Sequence, residues 1–141
     1  MDFLALIGKR KFFLSLPLTM RHLALFVAVL PLSAGVLFGQ GGSLLHQWDG
    51  VAIDDQFGFS VSCAGDVNGD GFADLIVGAQ YAEAGGFSNA GSADVYSGAD
   101  GSLLHQWSGG KESDWFGSSV SGAGDVDGDG YDDIIVGANG A

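Results

Sequence analysis

The C-terminal hundred residues carry apolar positions in short runs and alternations, and no stretch after residue 40 has helical periodicity of useful length. Phe59–Ala64 alternates after a glycine, which predicts a strand. DLIVGA, Asp74–Ala79, is a brief continuous apolar run suited to a strand buried on both faces. In SADVYS, Ser92–Ser97, Ala93 and Val95 share one face while Asp94 and Tyr96 share the other. A turn-forming SGADG follows at 97–101, and Ser102–Trp107 returns as a fourth strand. The loop QYAEAGGFSNAG at 80–91 separates the second and third strands. These elements predict a four-stranded antiparallel sheet.

The pattern recurs. GSLLHQW stands at 42–48 and at 101–107, and FGFSVSCAGDVNGDG at 57–71 matches FGSSVSGAGDVDGDG at 116–130. Both matches share an offset of 59 with no insertion, and roughly two-thirds of aligned positions are identical. A four-stranded unit repeated at this period is the mark of a β-propeller blade, whose two faces are apolar because neighbours stack on them. The expected fold is all-β: an incomplete propeller in residues 41–141. It comprises the last strand of one blade (42–48), a full blade (about 57–107) and half of another (about 116–141). Closing a propeller takes about 4–8 blades, so further blades or self-association are expected.

Residues 1–40 read differently. Lys9, Arg10, Lys11 and Arg21 precede the apolar run Leu23–Phe38, broken by Pro31. That order is the layout of a signal peptide or N-terminal anchor, with Met1 or Met20 as start. Small residues at Ser33-Ala34-Gly35 or in Gly39–Gly42 offer cleavage points. The remainder is expected to be exported: secreted, periplasmic or at the cell surface. It has no further apolar span.

Charge narrows the partners. From Gln40 onward a single basic residue, Lys111, faces sixteen Asp and Glu, which argues against nucleic acid or an anionic membrane. Cys63 is the only cysteine, so no internal disulfide forms. It is expected as a small buried residue.

The carboxylates are bunched in two loops. Counting from Asp66, oxygen-bearing side chains fall at the first, third, fifth and ninth places: Asp66, Asn68, Asp70 and Asp74. The second copy has Asp125, Asp127, Asp129 and Asp133. Alternate spacing lets a tightly wound loop aim successive side chains at one centre, with Gly71 and Gly130 supplying the left-handed turn. The seventh place, Phe72 or Tyr131, offers a backbone carbonyl. An oxygen-only cage without His or Cys selects Ca²⁺, giving two expected sites. With four carboxylates against three, the second should bind more tightly. Asp132 is expected to point outward. An EF-hand is excluded because its twelfth place here is Val77 or Val136, inside a strand.

Phe57-Gly58 and Phe116-Gly117, the Asp-rich loops, and Val77-Gly78-Ala79 and Val136-Gly137-Ala138 resemble the FG-GAP repeat of integrin α-subunit propellers and related exported bacterial proteins. The resemblance implies that the loop joins the first and second strands of a blade and binds structural Ca²⁺. It departs where the family often has Pro after Gly-Ala; here stand Gln80 and Asn139.

No motif positions a base or nucleophile, and His46 and His105 recur at equivalent places in LLHQW with Trp48 and Trp107. They are expected as packing or surface groups, the tryptophans as sheet-face anchors. The expected function is a non-catalytic, calcium-stabilised module for binding or adhesion. The alternative is the non-catalytic propeller of an exported hydrolase or phospholipase. A protein or carbohydrate ligand would meet the loops opposite the metal rim, 49–56, 80–91 and 108–115, which carry Tyr81, Phe87 and Trp115.

Overall fold

The computed structural model describes residues 4–7, 10–13, 34–39 and 41–141. Residues 14–33, which hold most of the apolar run read as a leader, lie outside the described residues. Among the described residues ten strands follow one another: β1 Leu4–Ile7, β2 Arg10–Phe13, β3 Ala34–Phe38, β4 Leu44–Asp49, β5 Ser60–Gly65, β6 Asp74–Ala79, β7 Ser92–Tyr96, β8 Leu103–Ser108, β9 Phe116–Gly124 and β10 Asp133–Ala138. A short 3-10 turn, Ile53–Asp55, lies between β4 and β5. No described helix is long and apolar enough to cross a membrane.

Strands β5-β6-β7-β8 form one antiparallel meander, while β1-β2, β3-β4 and β9-β10 are two-stranded. The four central strands match the sequence expectation closely. β5 starts and ends one residue late, and at its end a bulge sets Gly65, rather than Ala64, opposite Asp74. Part of the stretch read as a leader, Ala34–Phe38, pairs with β4.

The pairings repeat as the sequence does. Ile135 pairs with Ser121 and Val136 with Val120, as Ile76 pairs with Ser62 and Val77 with Val61. The β3-β4 ladder breaks register between Leu37 and Phe38, as β7-β8 breaks between Val95 and Tyr96. Thus β5–β8 forms a four-stranded sheet of blade type, β9-β10 repeats the pairing of its first two strands, and β3-β4 that of its last two.

Both faces of the central blade are covered. On one face Ala64, Ile76, Ala93 and Val95 are fully buried against Phe116, Val120, Ile134 and Val136 of the next half-blade. On the other, Phe57, Val77, Ala79 and Ala82 pack with Trp48, Val61 and Tyr96. Trp48 packs against Tyr96 in a tilted pair with ring centroids 4.9 Å apart, and its indole N–H donates to the Gly101 carbonyl at 2.8 Å. As a result β6 is buried along its whole length.

Backbones also meet directly between blades. A Cβ at Gly78 would run into the Gly117 carbonyl oxygen, and one at Gly117 into the Ser92 carbonyl oxygen. The Ser60 hydroxyl donates to the Gly117 carbonyl at 2.6 Å. The FG of one repeat and the GA of the preceding repeat are therefore two sides of one contact, where only glycine fits.

Two expectations are corrected. Cys63 is exposed, not buried; it lies on the sheet's edge strand β5, opposite Leu75. Trp107 does not anchor as Trp48 does. It stacks on His105 at 5.2 Å yet stays 42% exposed, because its side of β8 lacks the neighbour that Trp48 has.

Within the covered face, Asp94 is buried and its carboxylate accepts from Gln106 Nε2 at 3.0 Å and from the Tyr96 hydroxyl at 3.3 Å. Desolvation lifts its pKa above the ordinary 3.8, against the pull of those two bonds. Burial, and then the Asp94 charge, lifts the Tyr96 phenol as well.

Two outcomes follow from this packing. Ile76→Ala opens a void at a fully buried position and should cost about 2–5 kcal/mol in urea unfolding. A carboxyl raised in the folded state stabilises most below its unfolded pKa, and that contribution fades as pH rises through the folded value. Melting of Asp94→Asn should therefore gain on the parent as pH climbs above 3.8.

Candidate metal centre

The first acidic loop leaves β5 at Asp66 and enters β6 at Asp74. Its winding converges on Asp66: Oδ1 accepts the N–H groups of Gly69 (2.7 Å) and Asp70 (3.0 Å), and Oδ2 accepts that of Gly71 (2.9 Å). Gly71 sits at φ 86°, the left-handed region the spacing required. Gly69 also takes a positive φ, 75°. Glycine at the loop's fourth place is the sequence signal for this second turn.

The remaining side chains brace one another. Asn68 Oδ1 accepts Asp70 N–H at 2.8 Å, and Asp70 Oδ1 accepts Phe72 N–H at 2.8 Å. The Asn68 amide donates to Asp70 Oδ2 at 2.9 Å. Asp74 is fully buried, with Oδ2 accepting Val67 N–H (3.0 Å) and Oδ1 accepting Gly98 N–H (3.1 Å). It ties the loop to the β7-β8 turn.

The second loop, between β9 and β10, repeats the winding. Asp125 takes the N–H groups of Gly128, Asp129 and Gly130 at 2.8–3.0 Å. Asp127 accepts from Asp129 N–H at 3.1 Å, Asp129 from Tyr131 N–H at 2.9 Å, and Asp133 from Val126 N–H at 2.9 Å. Two differences matter. Asp127 replaces Asn68, so no side-chain amide bridges the third and fifth places, and one more negative charge enters the loop. Asp133 is only half-buried, unlike Asp74.

Carboxylate oxygens of Asp125, Asp127 and Asp133 lie within 4.8 Å of one another. A Ca²⁺ ion bound at about 2.3–2.6 Å separates opposed ligand oxygens by about 5 Å, so this trio fits such an ion. Among the described residues it is the one acidic cluster of this closeness. Asp129 lies outside it, turned to Tyr131 N–H. In the first loop both oxygens of Asp74 already accept backbone bonds, and Asp66, Asp70 and Asp74 form no equivalent trio. Phe72 and Tyr131, whose carbonyls are expected as ligands, are 59% and 49% exposed.

Asp132 does not point outward. Its Oδ2 accepts Asp66 N–H at 2.8 Å, and its own N–H donates to the Asp66 carbonyl at 3.1 Å. The two acidic loops are thereby clipped together, and the Tyr131 ring stands against Gly69. The signal was present in the repeat: Asp132 takes the place of Ala73, a change that serves an inter-blade bond. Asp132→Ala should cost about 1–2 kcal/mol by leaving Asp66 N–H without its acceptor. Asp132→Asn, which keeps a carbonyl oxygen there, should recover most of the loss in urea unfolding.

At the other rim Tyr81 meets Trp115 edge-on at 6.4 Å, and Phe87 is 42% exposed. Asp114, almost buried, accepts the N–H groups of Gly110 and Lys111 and lies 3.7 Å from Lys111 Nζ. The 108–115 loop is thus internally fixed rather than merely solvated.

Residues 57–99 and 116–141 match the FG-GAP repeat family. The chain is 37% identical over 93 residues to integrin alpha-5 of Xenopus laevis, which covers 60% of this chain and 9% of the relative. It is 38% identical over 108 residues to integrin alpha-V of Gallus gallus, covering 71% and 10%. Against integrin alpha-4 of Xenopus laevis it is 35% identical over 111 residues, covering 73% and 9%. The chain thus spans about a tenth of the length of the curated relatives it matches.

Proposed function

Because the chain belongs to the FG-GAP repeat family, as a β-propeller module of integrin alpha type, we propose that it is an exported, calcium-braced module for binding or adhesion and not a catalyst. The observation that carries the metal is the trio Asp125, Asp127 and Asp133, whose oxygens come within 4.8 Å of one another on a loop with no amide to relieve its charge. Carboxylates that close repel by several kcal/mol in total, at an effective dielectric of about 20. A hard divalent cation offsets that repulsion.

In the second loop the ion is held by Asp125, Asp127 and Asp133, with Asp129 and the Tyr131 carbonyl completing the set. In the first it is held by Asp66, Asn68, Asp70, the Phe72 carbonyl and Asp74, more weakly. The ion supplies charge compensation and loop rigidity. The residues do the rest: converging N–H groups orient the first carboxylate, and the ninth anchors each loop to its strand. Binding of a protein or carbohydrate falls to the opposite rim, where Tyr81, Trp115 and exposed Phe87 offer aromatic surface.

Millimolar Ca²⁺ should raise the melting temperature, by the equivalent of about 2.7 kcal/mol when the ion stands at a hundred times its dissociation constant. Mg²⁺, which gives up water reluctantly, should do less. Asp125→Ala with Asp133→Ala should abolish the tighter of two calorimetric binding events. A folded sample that takes up no Ca²⁺ at millimolar concentration sinks the reading.

A further inference from the structure

The winding of the first acidic loop requires a glycine at its fourth place. Gly69 takes φ 75°, and the Tyr131 ring stands so near that a Cβ there would run into it. Gly128, at φ 79°, meets the same need in the second loop. The residue before the glycine differs between copies: Asp127 in the second, Asn68 in the first. Asparagine followed by glycine is the pair with the least steric bar to attack of the backbone nitrogen on the side-chain amide, because no Cβ stands in its way. We propose that Asn68 is a deamidation site gated by the loop itself, silent while the loop is wound and reactive when it opens.

In that reaction the Gly69 nitrogen gives up its proton and bonds to Asn68 Cγ, closing a succinimide ring. The bond from Cγ to Nδ2 breaks, and the amide nitrogen leaves as ammonia, carrying the proton. Water then opens the ring. Attack at Cγ restores the ordinary backbone and yields aspartate. Attack at the backbone carbonyl leaves the chain running through the side chain, longer by a methylene. The sum is an amide and water going to a carboxylic acid and ammonia, with nothing oxidised or reduced.

Each reacting group is held in the wound loop. The Gly69 N–H donates to Asp66 Oδ1 at 2.7 Å, which keeps its proton in place. Asn68 Oδ1 accepts Asp70 N–H at 2.8 Å and Nδ2 donates to Asp70 Oδ2 at 2.9 Å, so a turn of the side chain breaks both bonds. Two carboxylates this near also disfavour an anionic nitrogen. Asn68 is only half-buried and Gly69 is exposed, so water reaches the site once those bonds open. Opening a surface loop takes less free energy than unfolding the sheet beneath it. The two products then differ in fate. A carboxylate at the third place is compatible with the winding, since Asp127 accepts Asp129 N–H there while Asp125 keeps its three donors. The aspartate route therefore gives the first loop the charge of the second. The lengthened chain instead draws the N–H groups of Gly69, Asp70 and Gly71 off Asp66, and the winding is lost.

The test follows the full chain by peptide mass mapping at mildly alkaline pH. No metal ion is added, so the result stands apart from the calcium reading. The peptide spanning Asn68 should exchange an amide NH2 for a hydroxyl, about tenfold or more slowly in the folded chain than in guanidinium chloride. Asp66→Ala, which frees the Gly69 N–H, should speed conversion of Asn68 in the folded chain. The other Asn-Gly pair, Asn139-Gly140, should keep the parent rate, because its Gly140 N–H is held by the Asp114 carbonyl. Faster conversion at Asn139 as well would mark an unfolded variant. Asp66→Asn, which keeps one acceptor oxygen, then takes its place, with a smaller gain expected at Asn68 alone. Equal rates at Asn68 in the folded and unfolded parent overturn the inference. So does an Asn68 peptide that keeps its mass in denaturant, or a folded Asp66 variant that converts no faster than the parent.

Discussion

The structure depends on the closeness with which one sheet's backbone can approach the next. At Gly78 and Gly117 the main chains of adjacent blades touch with no side chain between them. That contact sets the spacing at which Ile76 and Val95 meet Val120 and Ile134. Moved apart by the width of a methyl group, the same faces would lose much of their dispersion contact. The phenylalanine of each Phe-Gly pair then has a fixed role: Phe57 and Phe116 enter the cores on either side of the central sheet.

The acidic loops are built on that spacing rather than the reverse. Each begins where the inner strand ends and is wound by backbone donors that converge on its first aspartate. The fold thus aligns carboxylates that would otherwise move apart. How far the charge is relieved internally differs between copies. An asparagine amide and the Gly98 N–H satisfy the first loop; in the second, a fourth carboxylate, Asp127, replaces the amide. The copy with the greater repulsion is also the one whose oxygens cluster.

Much of this was legible because the chain states it twice. Period, strand order, the left-handed glycines and the ninth-place aspartates could all be read by aligning residues 42–82 with 101–141. What escaped was whatever depends on a neighbour. Cys63 and Gly122 occupy one place in the repeat, yet the sequence does not say which end of a sheet edge is covered. Trp48 and Trp107 are identical in local context, and only the presence of Tyr96 and Gly101 beside the first separates anchor from exposed ring. Asp132 departs from its expected outward position for a related reason. Its partner, the Asp66 N–H, lies 66 residues away, beyond any pattern within one loop.

That long-range bond has a consequence for how the rim behaves. Asp132 stands between Tyr131 and Asp133, so any tightening of the second loop repositions the group that grips the start of the first. On the function proposed above, an ion held in one loop would alter the free energy of ordering the other, and thermodynamic reciprocity would make the influence mutual. The rim is better viewed as a linked series than as separate cups, with stiffness handed from blade to blade through a single carboxylate.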